Sequence, residues 1–284
     1  MRVGRFVMCM LLAACAHAAT AADLLGRYGP PVMQRFAAGN GIVVGVEYNK
    51  DGRVTTVEIA PVGYKKDGNA SGEPMDRAAV SELLDYLIPD QMRMGILSGL
   101  ECPLRGERRE GSCGVTQTDL GVTLYRRHTE AEGGRKDLVV TITSKTGLPQ
   151  TVITLESRFG AVVAERFVAE PGIALTATYD KARAATEIAI APMRSVLETD
   201  DGAQFMPVPD VERILDEIAP RWTRTGSLGG GSMQSGCNET RIEEFDNLSI
   251  TRSFHHCHLP AEDLMMQTVV RWGPRRMMPG GGNE

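Results

Sequence analysis

The stretch Gly41 to Pro61, GIVVGVEYNKDGRVTTVEIAP, returns without a gap as Gly172 to Pro192, GIALTATYDKARAATEIAIAP, at an offset of 172 − 41 = 131 residues. The match begins earlier: Arg27-Tyr28-Gly29 answers Arg158-Phe159-Gly160, and Val32, Arg35, Phe36 and Ala38 answer Val163, Arg166, Phe167 and Ala169. From Arg27 to Pro61 there are 14 identities in 35 aligned positions, where average usage gives about two by chance. A solenoid repeat spans roughly 20–50 residues, so a period of 131 residues is a duplicated domain.

Two copies allow each structural reading to be checked against the other. Ile42, Val44, Val46 and Tyr48 share one strand face, and Ile173, Leu175, Ala177 and Tyr179 repeat it, so that face is the inward one. Asn49-Lys50-Asp51-Gly52 carries the Asp-Gly signature of a hairpin turn, after which Thr55, Val57 and Ile59 alternate as Thr186, Ile188 and Ile190 do. From Met75 to Pro89 the apolar residues Val80, Leu83, Leu84 and Leu87 follow helical spacing. Val211, Ile214, Leu215 and Ile218 repeat them, with Pro89 and Pro220 as stops and Pro207 and Pro209 at a helix start.

Further on, Thr116 to Arg127 and Arg241 to Phe254 read as third strands, while Leu138, Val140 and Ile142 mark a fourth that answers Leu264 to Val270. The expected fold is therefore α+β. It has two tandem homologous modules, each a mainly antiparallel sheet of about four strands packed by one main helix plus a short N-terminal helix. The expected boundaries are a signal peptide at 1–21, modules at 23–150 and 151–272, and a flexible Gly- and Pro-rich tail at 273–284.

The chain resembles uncharacterised exported bacterial proteins that carry a RYG…F…PGI…Y module; the first copy has RYG at Arg27 to Gly29 but Asn40 where the second has Pro171. The resemblance covers most of the chain and implies no activity.

With 42% hydrophobic and 24% charged residues the chain has the composition of a folded protein. The net charge of −5, without a Lys/Arg block, argues against nucleic acid as a partner. Arg2 and Arg5, the short apolar run from Phe6 to Ala14 and the small residues AHAATAA read as an export leader too short to span a bilayer. Ala19-Thr20-Ala21 suits ordinary cleavage, whereas Leu12-Ala13-Ala14-Cys15 suits a lipobox with a lipid anchor on Cys15. Ordinary cleavage is favoured, because the domain begins near Asp23 and leaves little tether. The expected location is periplasmic or secreted, with a lipid-anchored envelope protein as the alternative. The mature chain carries no transmembrane segment. Four cysteines then remain, and in an oxidising compartment they form two disulfides, Cys102–Cys113 and Cys237–Cys257, one per copy.

Candidate chemistry is sparse. His255-His256-Cys257-His258 holds three of the five histidines, and His256 and His258 two apart on a strand suit Zn or Cu, with Met265, Met266, Met277 and Met278 nearby for Cu(I). A disulfide at Cys257 removes its thiolate, so a solvated strand end is the simpler reading. His128 is placed opposite His256, making a basic strand end in both copies. The glycine-rich segment Gly226 to Gly236 lacks the Lys-Ser/Thr of a phosphate loop and reads as a connection. Asp85 and Asp216, like Glu82, Glu212 and Glu217, fall on solvated helix faces. Arg27 and Arg158 are expected to hold each module's first turn against its sheet. No cofactor is expected. The chain reads as an exported, non-enzymatic binding or interaction module with a protein partner in the envelope, the alternative being an envelope metal-binding protein that uses His255 to His258.

Overall fold

The computed structural model describes residues 18–64, 73–88, 110–117, 122–131, 134–193, 205–226, 229–236, 238–255 and 264–273. The chain divides into two compact units, one of residues 21–183 and one of residues 184–284 joined by those before 21. The break lies inside the second copy, at the turn of its hairpin.

The unit of residues 21–183 runs α1 (Ala21–Tyr28), β1 (Met33–Gly39), β2 (Ile42–Tyr48), β3 (Val54–Pro61), α2 (Arg77–Leu87), β4 (Glu110–Gln117), β5 (Val122–Ala131) and β6 (Gly134–Ser144). It continues with α3 (Val152–Phe159), β7 (Val162–Glu170) and β8 (Ile173–Tyr179). The strands form one sheet in the order β8-β7-β1-β2-β3-β6-β5-β4, with every neighbouring pair antiparallel. Ile42, Val44 and Val46 are buried as their alternation requires, and Tyr48 is half-buried. Val57, Ile59, Val140 and Ile142 extend the same core, onto which α2 lowers Val80, Leu83, Leu84 and Leu87. Asp76 caps α2 by accepting from the Ala79 amide at 3.4 Å.

The expectation of two separate four-stranded, helix-packed modules is overturned, and the fold is β-rich. The reason is β1 and its counterpart β7, which pair with each other and merge strands of both copies into a single eight-stranded sheet. Neither strand shows a clean apolar alternation, because each carries a polar residue on its core face, Gln34 or Glu165. The helices cross over as well. Helix α1, from the first copy, packs on β7 of the second, with Tyr28 and Phe167 ring centroids 6.4 Å apart. Helix α3, from the second copy, packs on β1 of the first, with Phe159 at 6.1 Å from Phe36 and 5.7 Å from Tyr86. Leu155 and Val162 of the second copy are thereby buried in the first copy's core. A capping box at Thr151 and Thr154 starts α3.

The unit of residues 184–284 contains β9 (Ala185–Pro192), β10 (Met206–Pro207), α4 (Val208–Ile218), a 3-10 turn (Arg221–Thr223), β11 (Gly229–Ser235), β12 (Asn238–Glu244), β13 (Leu248–His255) and β14 (Leu264–Trp272). Its strand order is β11-β12-β13-β14-β9, with β10 beside β14. Val211, Ile214, Leu215 and Ile218 are buried beneath α4, which starts on Pro207 without a side-chain cap. The expected third strands each prove to be two, β4 with β5 and β12 with β13. Gly226 to Gly236, read as a connection, contains β11: backbone ladder bonds need no side-chain periodicity, so a glycine run hides a strand from pattern reading. Of the expected leader at 1–21 and tail at 273–284, residues 1–17 and 274–284 lie outside the described residues.

Candidate functional site

Within the sheet of residues 21–183, β1 and β7 meet so that Gln34 stands opposite Glu165, and 165 − 34 = 131 is the repeat offset itself. A residue paired with its own duplicate marks a local two-fold axis. Around it, Gln34 Nε2 donates to Glu165 Oε1 at 2.8 Å, Tyr48 donates its hydroxyl to Gln34 Oε1 at 2.8 Å, and Tyr179 donates to Glu165 Oε2 at 2.8 Å. Arg183 adds a guanidinium 3.5 Å from Glu165, donates to the Val162 carbonyl at 3.1 Å, and lies over the Tyr179 ring at 5.0 Å. Gln34 and Glu165 are each about one-twentieth exposed, at 4% and 5%. Burial raises both tyrosine pKa values far above the ordinary range; for Tyr179 the hydrogen bond to Glu165 adds to it, and for Tyr48 the charges of Glu156 and Glu165 do. Both phenols stay protonated donors, so the cluster is a closed network. It was invisible in the sequence except through the offset, since Gln34, Glu165, Tyr48 and Tyr179 are all repeat-equivalent positions.

The opposite face of the same sheet mixes exposed polar residues with the buried Met33, Thr56 and Ala164. One row across the strands runs Arg166, Met33, Glu47, Thr56, Thr143 and Thr123, and the next runs Ala164, Arg35, Gly45, Glu58, Thr141 and Tyr125. Arg35 lies along Gly45, where an added Cβ would sit 3.8 Å from its Cγ. Its duplicate Arg166 donates Nε–H to Thr176 Oγ1 at 3.3 Å. Burial and the nearby charge of Arg35 lower the Arg166 pKa, while Glu47 and Glu58 pull it back up.

Of the residues singled out in the sequence, His256, His258, Cys102, Cys237 and Cys257 lie outside the described residues, as does the side chain of Cys113, whose backbone is in β4. The copies register differently here from the sequence reading. Arg126 stands opposite Val140 and that opposite Ile59, while Arg252 stands opposite Thr268 and that opposite Ile190. Since 59 + 131 = 190, Arg252 answers Arg126, and His128 is answered by Phe254 rather than by His256. By the same ladder Cys113, opposite Arg126, is answered by Arg241, opposite Arg252, rather than by Cys237. Among the described residues no group of three His, Cys, Asp or Glu is placed to hold a metal.

The helix carboxylates are engaged in ion pairs. Glu82 meets Arg158 at 2.6 Å, Asp216 meets Arg224 at 2.9 Å, and Glu212 meets Arg252 at 2.9 Å. Arg158 thus ties α3 to α2 and stacks 5.8 Å from the Tyr86 ring, a helix-to-helix contact in place of the expected hold on the sheet.

No protein-family model matches the chain, and no curated protein sequence matches it. Among solved structures, the crystal structure of a porin-like protein from Bacteroides uniformis aligns over 87% of this chain and 98% of that one at 9% identity, with a TM-score of 0.13. A likeness so slight carries no argument. No helix among the described residues is long and apolar enough to cross a membrane.

Proposed function

We propose that this chain is an exported bacterial protein, periplasmic or secreted, that works by binding a protein partner in the envelope rather than by catalysis. The observation that supports the reading is the second face of the eight-stranded sheet. Helices α1 and α3 pack by way of Phe167 and Phe36 on the core face. The face behind it presents Thr123, Thr141, Thr143, two arginines and two glutamates beside the buried Met33 and Thr56, with Arg35 and Tyr125 exposed. Threonine and tyrosine on a stiff sheet offer contact area and hydrogen bonds at little loss of side-chain freedom, and interspersed charges of both signs select a complementary surface. The internal polar groups support the non-enzymatic half of the reading: Tyr179 is committed to Glu165, Tyr48 to Gln34, and Gln34 to Glu165.

The test is saturable capture of a partner from envelope extract by the purified protein, compared with a Thr141→Lys, Thr143→Lys variant. Both positions are half-exposed, so the variant is expected to unfold at the same temperature and to lose capture. Capture that is undiminished by these changes refutes the role of this face.

A further inference from the structure

The turn that joins β1 to β2 carries an inference about the chain's own chemistry. Asn40 is the only asparagine of the sequence that precedes a glycine. Asn40 and Gly41 fill the connection between Gly39 and Ile42, which are ladder partners. Both are left-handed, with φ of 51° for Asn40 and 71° for Gly41. Asn-Gly suits such a hairpin turn because asparagine tolerates positive φ better than most residues that carry a side chain. The duplicate, Pro171-Gly172, joins Glu170 to Ile173 with only its glycine left-handed.

An asparagine before glycine can close a ring on its own backbone. The Gly41 nitrogen attacks Asn40 Cγ, the Cγ–Nδ2 bond breaks, and Nδ2 leaves as ammonia with the proton of the Gly41 amide. A succinimide remains. Water then adds to one of its two carbonyls, giving aspartate or, when the main-chain carbonyl is attacked, isoaspartate, whose backbone runs through Cβ. Nothing is oxidised or reduced, and water is the only co-reactant. Pro171 has no side-chain amide, so the second copy cannot follow this course.

The surroundings single out Asn40. It and Gly41 are exposed, and a Cβ added at Gly41 would meet nothing within 4 Å. Among the described residues no hydrogen bond holds the Asn40 side chain or the Gly41 amide. Comparable groups are held. Asn49 Oδ1 accepts from the amides of Asp51 and Arg53 at 3.0 and 2.9 Å, and Asn247 donates to the Thr223 carbonyl at 2.9 Å. Asp51-Gly52 could close the same ring with loss of water, but its Gly52 amide donates to the Asn49 carbonyl at 2.9 Å. What restrains Asn40 is the turn itself: the Gly41 carbonyl accepts from the Val62 amide at 2.7 Å, so the Asn40–Gly41 peptide swings toward Cγ only when the turn opens locally.

We infer that Asn40 is a site of spontaneous deamidation, and that its isoaspartyl product loosens the β1–β2 hairpin. An extra main-chain atom in so short a connection shifts Gly39 from its place opposite Ile42. That hairpin also holds Gln34 to the Tyr48 hydroxyl.

The experiment incubates the purified full chain in mildly alkaline buffer and follows it by peptide mapping with electron-transfer fragmentation, which distinguishes aspartate from isoaspartate. Asn40 is expected to convert at least about tenfold faster than Asn49, Asn247 or Asp51, and about tenfold slower than in the urea-unfolded chain, as reaction through turn opening requires. The isoaspartyl form, separated by ion exchange, is expected to melt a few degrees below the untreated chain. Asn40→Asp, with the same charge and an ordinary backbone, is expected to melt with the untreated chain. If Asn40 converts in urea but no faster than Asn49 in the native chain, the folded turn is closed to the reaction and the site is wrong. If the isoaspartyl form melts with the untreated chain, or Asn40→Asp melts as low as the isoaspartyl form, the loosening of the hairpin by its lengthened backbone is wrong.

Discussion

The turn at Asn49 to Gly52 and its duplicate at Asp180 to Arg183 have the same geometry and opposite chemistry. In both, the amide of the last residue donates to the carbonyl of the first, at 2.9 and 3.1 Å. In both, the last residue is left-handed, with φ of 72° for Gly52 and 65° for Arg183. Glycine adopts that conformation freely, whereas arginine does so at about 1 kcal/mol. What offsets the strain is Glu165: the first copy carries Gly52 with neutral Gln34, and the second carries Arg183 with anionic Glu165. The charge on the axis and the cation that answers it arrived on the same copy. Duplication thus left a symmetric backbone around an asymmetric polar centre, and the two halves are complementary rather than interchangeable.

The largest test of this contrast removes the anion. Glu165→Ala strips the acceptor shared by Gln34, Tyr179 and Arg183 and is expected to reduce stability by about 3 kcal/mol in urea unfolding, a figure held at the low end because Arg183 is about one-third exposed. Gln34→Ala, its duplicate, frees only the Tyr48 hydroxyl and one lone pair and is expected to lose about 1.5 kcal/mol. Equal losses at the two positions would break the distinction between a charged and a neutral half.

A smaller effect sharpens it. Arg183→Gly relieves backbone strain but leaves Glu165 without its cation, for an expected net loss of about 1 kcal/mol. Combined with Glu165→Gln, which gives the second copy the first copy's chemistry, the pair of changes is expected to fall short of the sum of the single losses by about 1 kcal/mol. Strict additivity would mean that the two residues act independently.

The tyrosines titrate as acids whose folded pKa is raised, so the stability they confer is full below the unfolded value near 10 and falls as pH rises above it. Wild-type stability is expected to decline from about pH 10 upward, and Tyr48→Phe, Tyr179→Phe is expected to flatten that decline while lowering stability at pH 7. A parallel pH profile for the double variant would show that neither phenol is held protonated by the network.

How far the sequence carried this fold follows from where its patterns are local. Ile42, Val44 and Val46, the turn at Asn49, and the spacing of Val80, Leu83, Leu84 and Leu87 are read within a dozen residues, and all are found as expected. Strand β1 was missed because Gln34 sits on its core face, and a polar residue there makes sense only once its partner, 131 residues away, is known. The same long-range pairing turned two expected modules into a shared sheet with crossed helices. Strand β11 was missed for the opposite reason, since glycine carries no side-chain signal at all. The second face could not be foreseen, because Arg35 and Glu58 become neighbours only through the register of β1, β2 and β3.

The smallest effect concerns the crossed helices themselves. Arg158 of α3 meets Glu82 of α2 at 2.6 Å, yet the two side chains are 42% and 72% exposed, so water and salt screen the pair. Glu82→Ala is accordingly expected to change stability by no more than about 0.5 kcal/mol at low salt and by nothing measurable in about 1 M salt. Arg158→Ala also removes the cation from the Tyr86 ring and is expected to retain a loss of about 0.5 kcal/mol in high salt. That remainder separates packing from charge where Arg158 of the second copy's helix meets the first copy's. If it vanishes with salt, the crossover is held by what lies beneath: the Tyr86 hydroxyl on the Thr154 carbonyl at 2.9 Å, Gln150 on the Tyr86 carbonyl at 3.0 Å, and the buried Leu155.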